Sequence, residues 1–286
     1  LSKPETESTK WDIEISPSSR LLNFNELWKH RYLISVFASR DITTQFKQTL
    51  LGPLWYILHP LLTTFLFVIV FGKIANLDTD GSPRVLFYLS GIIIWQFFSS
   101  CFISTANVFT SNAYIFGKVY FPRLVIPVAT VISLLVRFFI QIILFAIVFL
   151  FLRYTDDVPD SIGLNAWVIF LPVLLLIAGC LGLGCGLITS SLTYKYKDLS
   201  HFIGFAIQFL MYLSPVIYPS AMFKEFAWVF TWNPLTYVIE SFRYGLLGTS
   251  EMNGQGLIYA AVFAILVLLA GVILFNNSSR RFMDTV

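Results

Sequence analysis

"RDITTQFKQTLLGPLWYILHPLL", residues 40–62, decides how the chain is to be read. It begins as a charged, amide-rich helix, passes through Gly52-Pro53 and continues as an apolar helix rich in Trp, Tyr and Leu. Crossing a hydrocarbon core about 30 Å thick takes about 20 mostly apolar residues. The second half suits such a crossing and the first does not. Proline is tolerated in a first helical turn, so Gly52-Pro53 suits a turn from a helix lying flat into one that enters the membrane. On a helical wheel Phe24, Leu27, Trp28, Ile34, Ala38, Ile42 and Phe46 share one face, with Lys29, Arg40 and Lys47 nearly opposite. That is the pattern of an interfacial helix, apolar side in the acyl boundary and cations at the headgroups. Arg31 intrudes on the apolar side; Leu33 and Phe37 fall on the polar one, where they would suit partner contacts. A plain anchor helix fits the same pattern.

Composition sets the class. Apolar residues make up 57% of 286 and charged residues 12%, against about 25% charged in soluble domains; mean hydropathy is +0.75. These values define an integral membrane protein, organised as one membrane domain with small appendages. Cys101, Cys180 and Cys185 lie in apolar stretches without metal or redox spacing and read as small apolar fillers. The first 50 residues hold no apolar run, so no cleavable signal peptide is expected. Residues 1–20, rich in Ser, Thr, Glu and Pro, are expected to be a mobile tail.

Six spans are predicted, at about 53–75, 86–107, 124–152, 164–190, 202–219 and 257–276. With a cytoplasmic N-terminus, the inner segments carry Lys3, Lys10, Arg20, Lys29, Arg31, Arg40, Lys47, Lys118, Arg123, Lys195, Lys197, Arg280 and Arg281. The outer loops keep Lys73, Arg84, Arg153 and Lys224 beside acids such as Asp78, Asp80, Asp156, Asp157 and Asp160. The positive-inside rule favours this orientation, with both termini cytoplasmic.

Several segments do more than span. "NVFTSNAYIFGKVYFPRLVIP" (107–127) mixes polar residues with Tyr114, Ile115, Phe116, Val119, Tyr120 and Phe121. Exposed aromatics beside Lys118 and Arg123 suit a docking surface, though a helix end in the interface fits as well. "SSLTYKYKDLSHF" (190–202) is a short basic loop, either a topology signal or a second docking point. On the outer side, Pro215, Pro219 and Pro234 chop the apolar stretch 214–248 into pieces too short to cross. Two re-entrant half-helices are predicted there, covered by protein or lining a wet cavity. Glu240 and Arg243, three apart, would pair on one helical face.

Arg137, near the middle of the third span in "LLVRFFIQ" (134–141), costs about 2.5–3.5 kcal/mol to insert and must face protein or water. A pathway-lining role and a buried structural role, with Gln141 or a neighbouring carbonyl as partner, both stand. Trp55, Tyr56, Trp95, Tyr212, Tyr218, Trp232 and Tyr237 cluster near span ends and the outer pieces; they suit either a membrane belt or contact with sugar C–H faces. "AGCLGLGCG" (178–186) sets Gly182 and Gly186 four apart, as close helix packing requires.

The chain has no phosphate-binding loop and no internal repeat. His30, His59 and His201 are well separated and the outer acids form no convincing pair, which argues against a membrane-embedded lipid-glycan enzyme. A passive channel would not need the docking segments.

Taken in order, "RDITTQFKQTLLGPLWYILHPLL", "NAYIFGKVYFPRLVIP", "SSLTYKYKDL", "LSPVIYP" and "WNPLTYVIESFRYGLLG" resemble the membrane subunits of ABC-2-type polysaccharide exporters, across about residues 20–276. The resemblance implies an all-α membrane domain over 21–286: six transmembrane helices, an interface helix at about 24–47, a coupling segment at about 108–121 and a re-entrant gate at about 220–248. It implies a homodimer with two copies of a separate ABC ATPase. ATP and Mg would bind that partner, with no cofactor or metal in this chain. Membrane lipids and a lipid-linked polysaccharide, O-antigen first, would be the other partners, and nucleic acid none. Teichoic acid or capsule would use the same architecture; an exporter of small lipids or drugs fits less well. The ATPase-coupling residues would be Asn112, Tyr114, Ile115, Phe116, Lys118, Tyr194, Lys195 and Asp198. Trp28, Arg31, Arg40, Asp41, Phe46 and Lys47 would mark the interface helix. Channel or gate candidates are Arg137, Glu240, Arg243 and the seven aromatics named above. The implied location is the bacterial inner membrane.

Overall fold

The computed structural model describes residues 24–47, 50–116, 121–159, 161–193, 196, 198–222, 224–249 and 252–283, and these form helices and turns with no strand among them. The tail 1–20, together with Lys118, Tyr194, Lys195 and the side chains of Phe46 and Phe116, lies outside the described residues.

At the basic end, α1 (Phe24–Lys29) and α2 (Arg31–Phe46) precede a short 3₁₀ turn, Gly52–Leu54. Gly52 sits at φ +48°, a conformation glycine adopts without steric cost, and Pro53 follows in the turn. From there α3 (Trp55–Phe67) runs on as a π-helix, Val68–Ile74. The turn expected at Gly52-Pro53 is therefore present.

Further along are α4 (Arg84–Ala106), α5 (Val108–Phe116), α6 (Val125–Tyr154), α7 (Leu171–Thr193, entered through a 3₁₀ turn at Ala166–Phe170) and α8 (Leu199–Tyr212). The chain ends in α9 (Ala227–Trp232), α10 (Pro234–Leu247) and α11 (Gly254–Met283). Among the described residues, five stretches are long and apolar enough to cross a membrane: Gly52–Ile74, Arg84–Ala106, Val125–Tyr154, Ala166–Thr193 and Gly254–Ser278. They match five of the six predicted spans within a few residues. The span expected at 202–219 differs. Its helix, α8, has 14 residues, about 21 Å at 1.5 Å per residue, which is short of the core thickness. Beyond Tyr212 the chain turns through a buried Ser214–Ile217 segment in which Pro215 has no N–H to continue a helix.

The bundle is built around α4, which is buried along most of its length. Against it pack α7 and α6, and α11 covers the other side of α7. Lipid gives helices no hydrophobic reason to associate, so close van der Waals fit has to hold them. The glycines of α7 supply it on two faces. A Cβ on Gly182 would lie 2.7 Å from Cys101 Cβ, and one on Gly186 2.5 Å from Thr105 Cβ, both on α4. One on Gly184 would lie 2.7 Å from the backbone of Leu268 on α11.

A second cluster forms at the basic end. Phe109 stacks on Phe275 with ring centres 4.7 Å apart, and Phe37 meets Phe121 at 5.6 Å. Leu27, Leu33, Ile34 and Phe37 pack on this cluster and Ala38 is buried. The wheel placed Leu33 and Phe37 on the polar side; in the fold they face the bundle, whereas Trp28 is 70% exposed with Arg31 above its ring. A wheel gives the periodicity of a helix but not which neighbour it meets.

At the opposite end α9 and α10 form a short hairpin. Asn233 begins α10 by accepting from Leu235 N–H at 3.0 Å, and Gly248 at φ +77° ends it, donating to the Tyr244 carbonyl.

Candidate functional site

Three groups of polar side chains are set at three heights of the bundle. The first joins α2, α5 and α6. Arg40 donates to Asp41 Oδ1 from Nη2 at 2.8 Å and from Nε at 3.1 Å, and its Nη2 also reaches Asn112 Oδ1 at 3.4 Å. Asp41 Oδ2 accepts from the Thr130 hydroxyl on α6 at 3.3 Å. The Arg40 guanidinium lies 4.8 Å from the centre of the Phe37 ring. Asn112 also marks a kink in α5, with φ −122° and ψ 17°. Side chains of α2, α5 and α6 thus share one cluster. Ile115 packs on the neighbouring apolar cluster, Tyr114 is 73% exposed, and Lys47 and Asp198 are exposed as well.

The second group crosses the bundle interior. Gln141 on α6 donates to Gln96 Oε1 on α4 at 2.7 Å and to the Tyr56 carbonyl on α3 at 3.5 Å. Gln96 Nε2 is 2.8 Å from His59 Nδ1. Arg137 lies 5.2 Å from the centre of the Tyr56 ring, and the Tyr56 hydroxyl donates to Gln45 Oε1. Of the two partners considered for Arg137, Gln141 is committed to Gln96 and Tyr56, and an aromatic face takes its place. Trp95 is buried at 6% exposure against Phe98, inside the bundle. Trp55 is half exposed.

The third group holds the α9–α10 hairpin. Asn233 Nδ2 donates to the Leu213 carbonyl at 3.1 Å and to Ser214 Oγ at 3.0 Å. The Tyr237 hydroxyl donates to the Thr231 carbonyl, and Tyr259 on α11 donates to the Trp232 carbonyl, both at 3.1 Å. The Tyr218 hydroxyl donates to the Tyr212 carbonyl and its ring meets Phe230 edge-on. Trp232 itself is 73% exposed. Glu240 and Arg243 act on each other electrostatically, and the guanidinium's hydrogen bond goes to a third element. Arg243, 1% exposed, donates to the Val216 carbonyl at 3.2 Å and stands 3.7 Å above the Phe87 ring. A Cβ on Gly91 would lie 2.8 Å from its Nη2, so this seat requires glycine there. Burial raises the Glu240 carboxyl, opposed by hydrogen bonds from Ser220 and by the Arg243 charge. Burial lowers Arg243 to about 10, opposed by Glu240 and Asp80, which leaves the guanidinium charged at neutral pH.

Sequence reasoning left Gln96, His59, Thr130 and Asn233 without roles. The signal for Gln96 and His59 was a polar side chain inside an apolar span; Thr130 and Asn233 carried none that spacing reveals.

Membrane-length apolar helices packed in one bundle make this an all-α integral membrane protein, with a polar cluster joining α2, α5 and α6. The chain belongs to the ABC-2 type transporter family, whose model matches residues 32–247. It is a transport subunit and not an enzyme, as the resemblance implied. The chain is 28% identical over 253 residues to the O-antigen export system permease protein RfbA of Klebsiella pneumoniae, covering 88% of this chain and 94% of that one. Against the protein of the same name from Myxococcus xanthus the identity is 20% over 91% and 98% of the two chains. Against the polysialic acid transport protein KpsM of Escherichia coli it is 26%, over 86% and 93%.

Proposed function

We propose that this chain is the channel subunit of an ATP-driven exporter that moves a lipid-linked polysaccharide, O-antigen first, across the bacterial inner membrane. The observation that carries the reading is similarity over 86–88% of the chain to proteins named for O-antigen export and polysialic acid transport. The chain works as a homodimer above two copies of a separate ATPase, which binds ATP and Mg. Both termini are cytoplasmic, which requires α8 and the buried turn after it to complete a sixth crossing; α2 and α5 then face the motor and the α9–α10 hairpin faces outward. The Arg40–Asp41–Asn112–Thr130 cluster supports this arrangement: a push on α5 reaches the flat helix and the third span through side chains already in contact. No catalytic residue is needed here, because nucleotide in the partner shifts the populations of closed and open channel.

The test is a mild-detergent purification of the chain from its host, with copurifying proteins identified by mass. An ATP-binding subunit in equal amount is expected, along with ATP-dependent glycan export by the reconstituted complex. Absence of such a subunit beside an intact, folded chain overturns the reading.

A further inference from the structure

Arg137 has no carboxylate to meet. Among the described residues it makes no hydrogen bond and no ion pair, and its contact is the Tyr56 ring. Its Nε is sealed inside the protein, but the side chain is partly exposed, so the terminal amino groups Nη1 and Nη2 are what a ligand reaches. A charge in a membrane span is costly and is normally paired. No Asp or Glu occurs in any of the six predicted spans, so a second copy of the chain brings no acid to this depth either. Asp41 is bound to Arg40 and Thr130. The chain supplies no countercharge.

The depth of the guanidinium points to the source. Thr130, level with α2, precedes Arg137 on α6 by two turns, about 10 Å at 1.5 Å per residue. Helical side chains lean toward the N-terminus of their helix, so Arg137 reaches back toward the basic end. There its guanidinium lies 5.2 Å from the ring of Tyr56, at the start of α3, and the Tyr56 hydroxyl meets Gln45 of the flat helix. The charge therefore sits where α3 enters the membrane, in the position of a snorkelling cation.

The interior amides aim a second donor. Gln141 donates to Gln96 Oε1, which leaves Gln96 Nε2 to donate to His59 Nδ1. A neutral His59 then carries its proton on Nε2. His59 is exposed, lies three residues beyond Tyr56 on the same face of α3, and feels the Arg137 charge. Its Nε2–H meets no described residue. Deeper in the membrane, Leu62 and Leu66 of α3 and Phe139 and Ile143 of α6 are each more than half exposed, two apolar rows suited to acyl chains.

We propose that Arg137 and His59 bind the phosphodiester of an anionic glycerophospholipid, such as phosphatidylglycerol, from the leaflet at the basic end. The guanidinium fork donates to two phosphate oxygens and His59 Nε2–H to an ester oxygen. Charge selects this occupant. One fixed cation matches one phosphodiester, whereas a diphosphate brings two charges and leaves one unmatched. The ammonium of phosphatidylethanolamine would sit beside the guanidinium, so that lipid fits less well. The bound lipid is a component of the folded subunit and not its cargo, and the site does not depend on what is exported.

The full chain, with whatever subunit copurifies, is placed in nanodiscs of phosphatidylglycerol and phosphatidylethanolamine in equal parts and extracted into mild detergent. Lipid retained per chain is counted by native mass spectrometry. Wild type should keep phosphatidylglycerol over phosphatidylethanolamine by about fivefold, and Arg137→Gln should bring the ratio to parity. Added phosphatidylglycerol should raise the melting temperature of wild type and leave that of Arg137→Gln unmoved. If Arg137→Gln fails to fold, Arg137→Lys decides: it keeps the charge without the fork and should lower the preference to about twofold. Parity in wild type, or a preference indifferent to the substitutions, overturns the proposal. So does a polyprenyl diphosphate that displaces phosphatidylglycerol from wild type at equal concentration, which would make this a carrier site.

Discussion

Arg40 of α2 and Asn112 of α5, 72 positions apart in the chain, meet side chain to side chain at 3.4 Å. The bond is long, hence weak, and it lands on the residue where α5 kinks. A weak contact at a kink suits a joint better than a brace. The Arg40–Asp41 pair is partly exposed, so it adds at most about 1 kcal/mol of stability. Its value lies in orientation.

Asn112→Ala should therefore leave the protein folded and its complex assembled while loosening the link between motor and bundle. Glycan exported per ATP hydrolysed, measured on the reconstituted complex, should fall severalfold, and melting should move little. An unchanged ratio would remove Asn112 from the coupling path.

The interior track predicts a stability effect with a signature. Gln96→Leu leaves Gln141 and His59 without a shared partner, which costs about 1–3 kcal/mol. Adding Gln141→Leu removes one stranded group, so the double variant should cost less than the sum of the singles. Thermal unfolding of all four proteins in one detergent completes the cycle; strict additivity would mean that the two amides do not interact.

Close packing of α7 is the most easily broken feature. Any Cβ at Gly186 meets Thr105 at 2.5 Å, and overpacking typically costs about 1–3 kcal/mol, occasionally more. Gly186→Leu should reduce the monodisperse fraction on size-exclusion chromatography sharply. Gly204 has open space where a Cβ would go, so Gly204→Ala is the matched control and should behave as wild type.

Asn233 caps α10 and ties it to Leu213 and Ser214. Asn233→Ala should cost about 1 kcal/mol through the cap alone and free the hairpin further by losing the other two bonds. A cysteine placed at Phe230, buried beside Tyr218, should then react faster with a membrane-impermeant maleimide. Equal labelling rates with and without Asn233→Ala would show that the hairpin is held by other contacts.

Two tryptophans make a contrast. Trp95→Ala opens a hole in the core and should cost about 3–5 kcal/mol. Trp232→Ala removes an exposed ring whose backbone carbonyl still accepts from Tyr259. It should leave melting nearly unchanged and alter glycan export. Unchanged export would assign Trp232 to the membrane belt.

The sequence by itself determined what depends on local composition and period. Apolar runs of membrane length fixed five spans within a few residues, because only a helix satisfies its own backbone in lipid. Gly52-Pro53 announced the turn into the first span, and the Gly182–Gly186 spacing announced the close approach of two helices. What depends on a second element stayed hidden. Arg243 and Glu240 are neighbours on a helix wheel, yet Arg243 is held by Phe87 of α4 and by Val216 in the turn after α8, which only tertiary packing brings near α10. Leu33 and Phe37 read as exceptions until the fold set Phe121 and its cluster against them. A cavity beneath the hairpin joins the turn at Asp80 to α10, far apart in sequence. Periodicity records which residues share a face; only tertiary contact decides what that face meets.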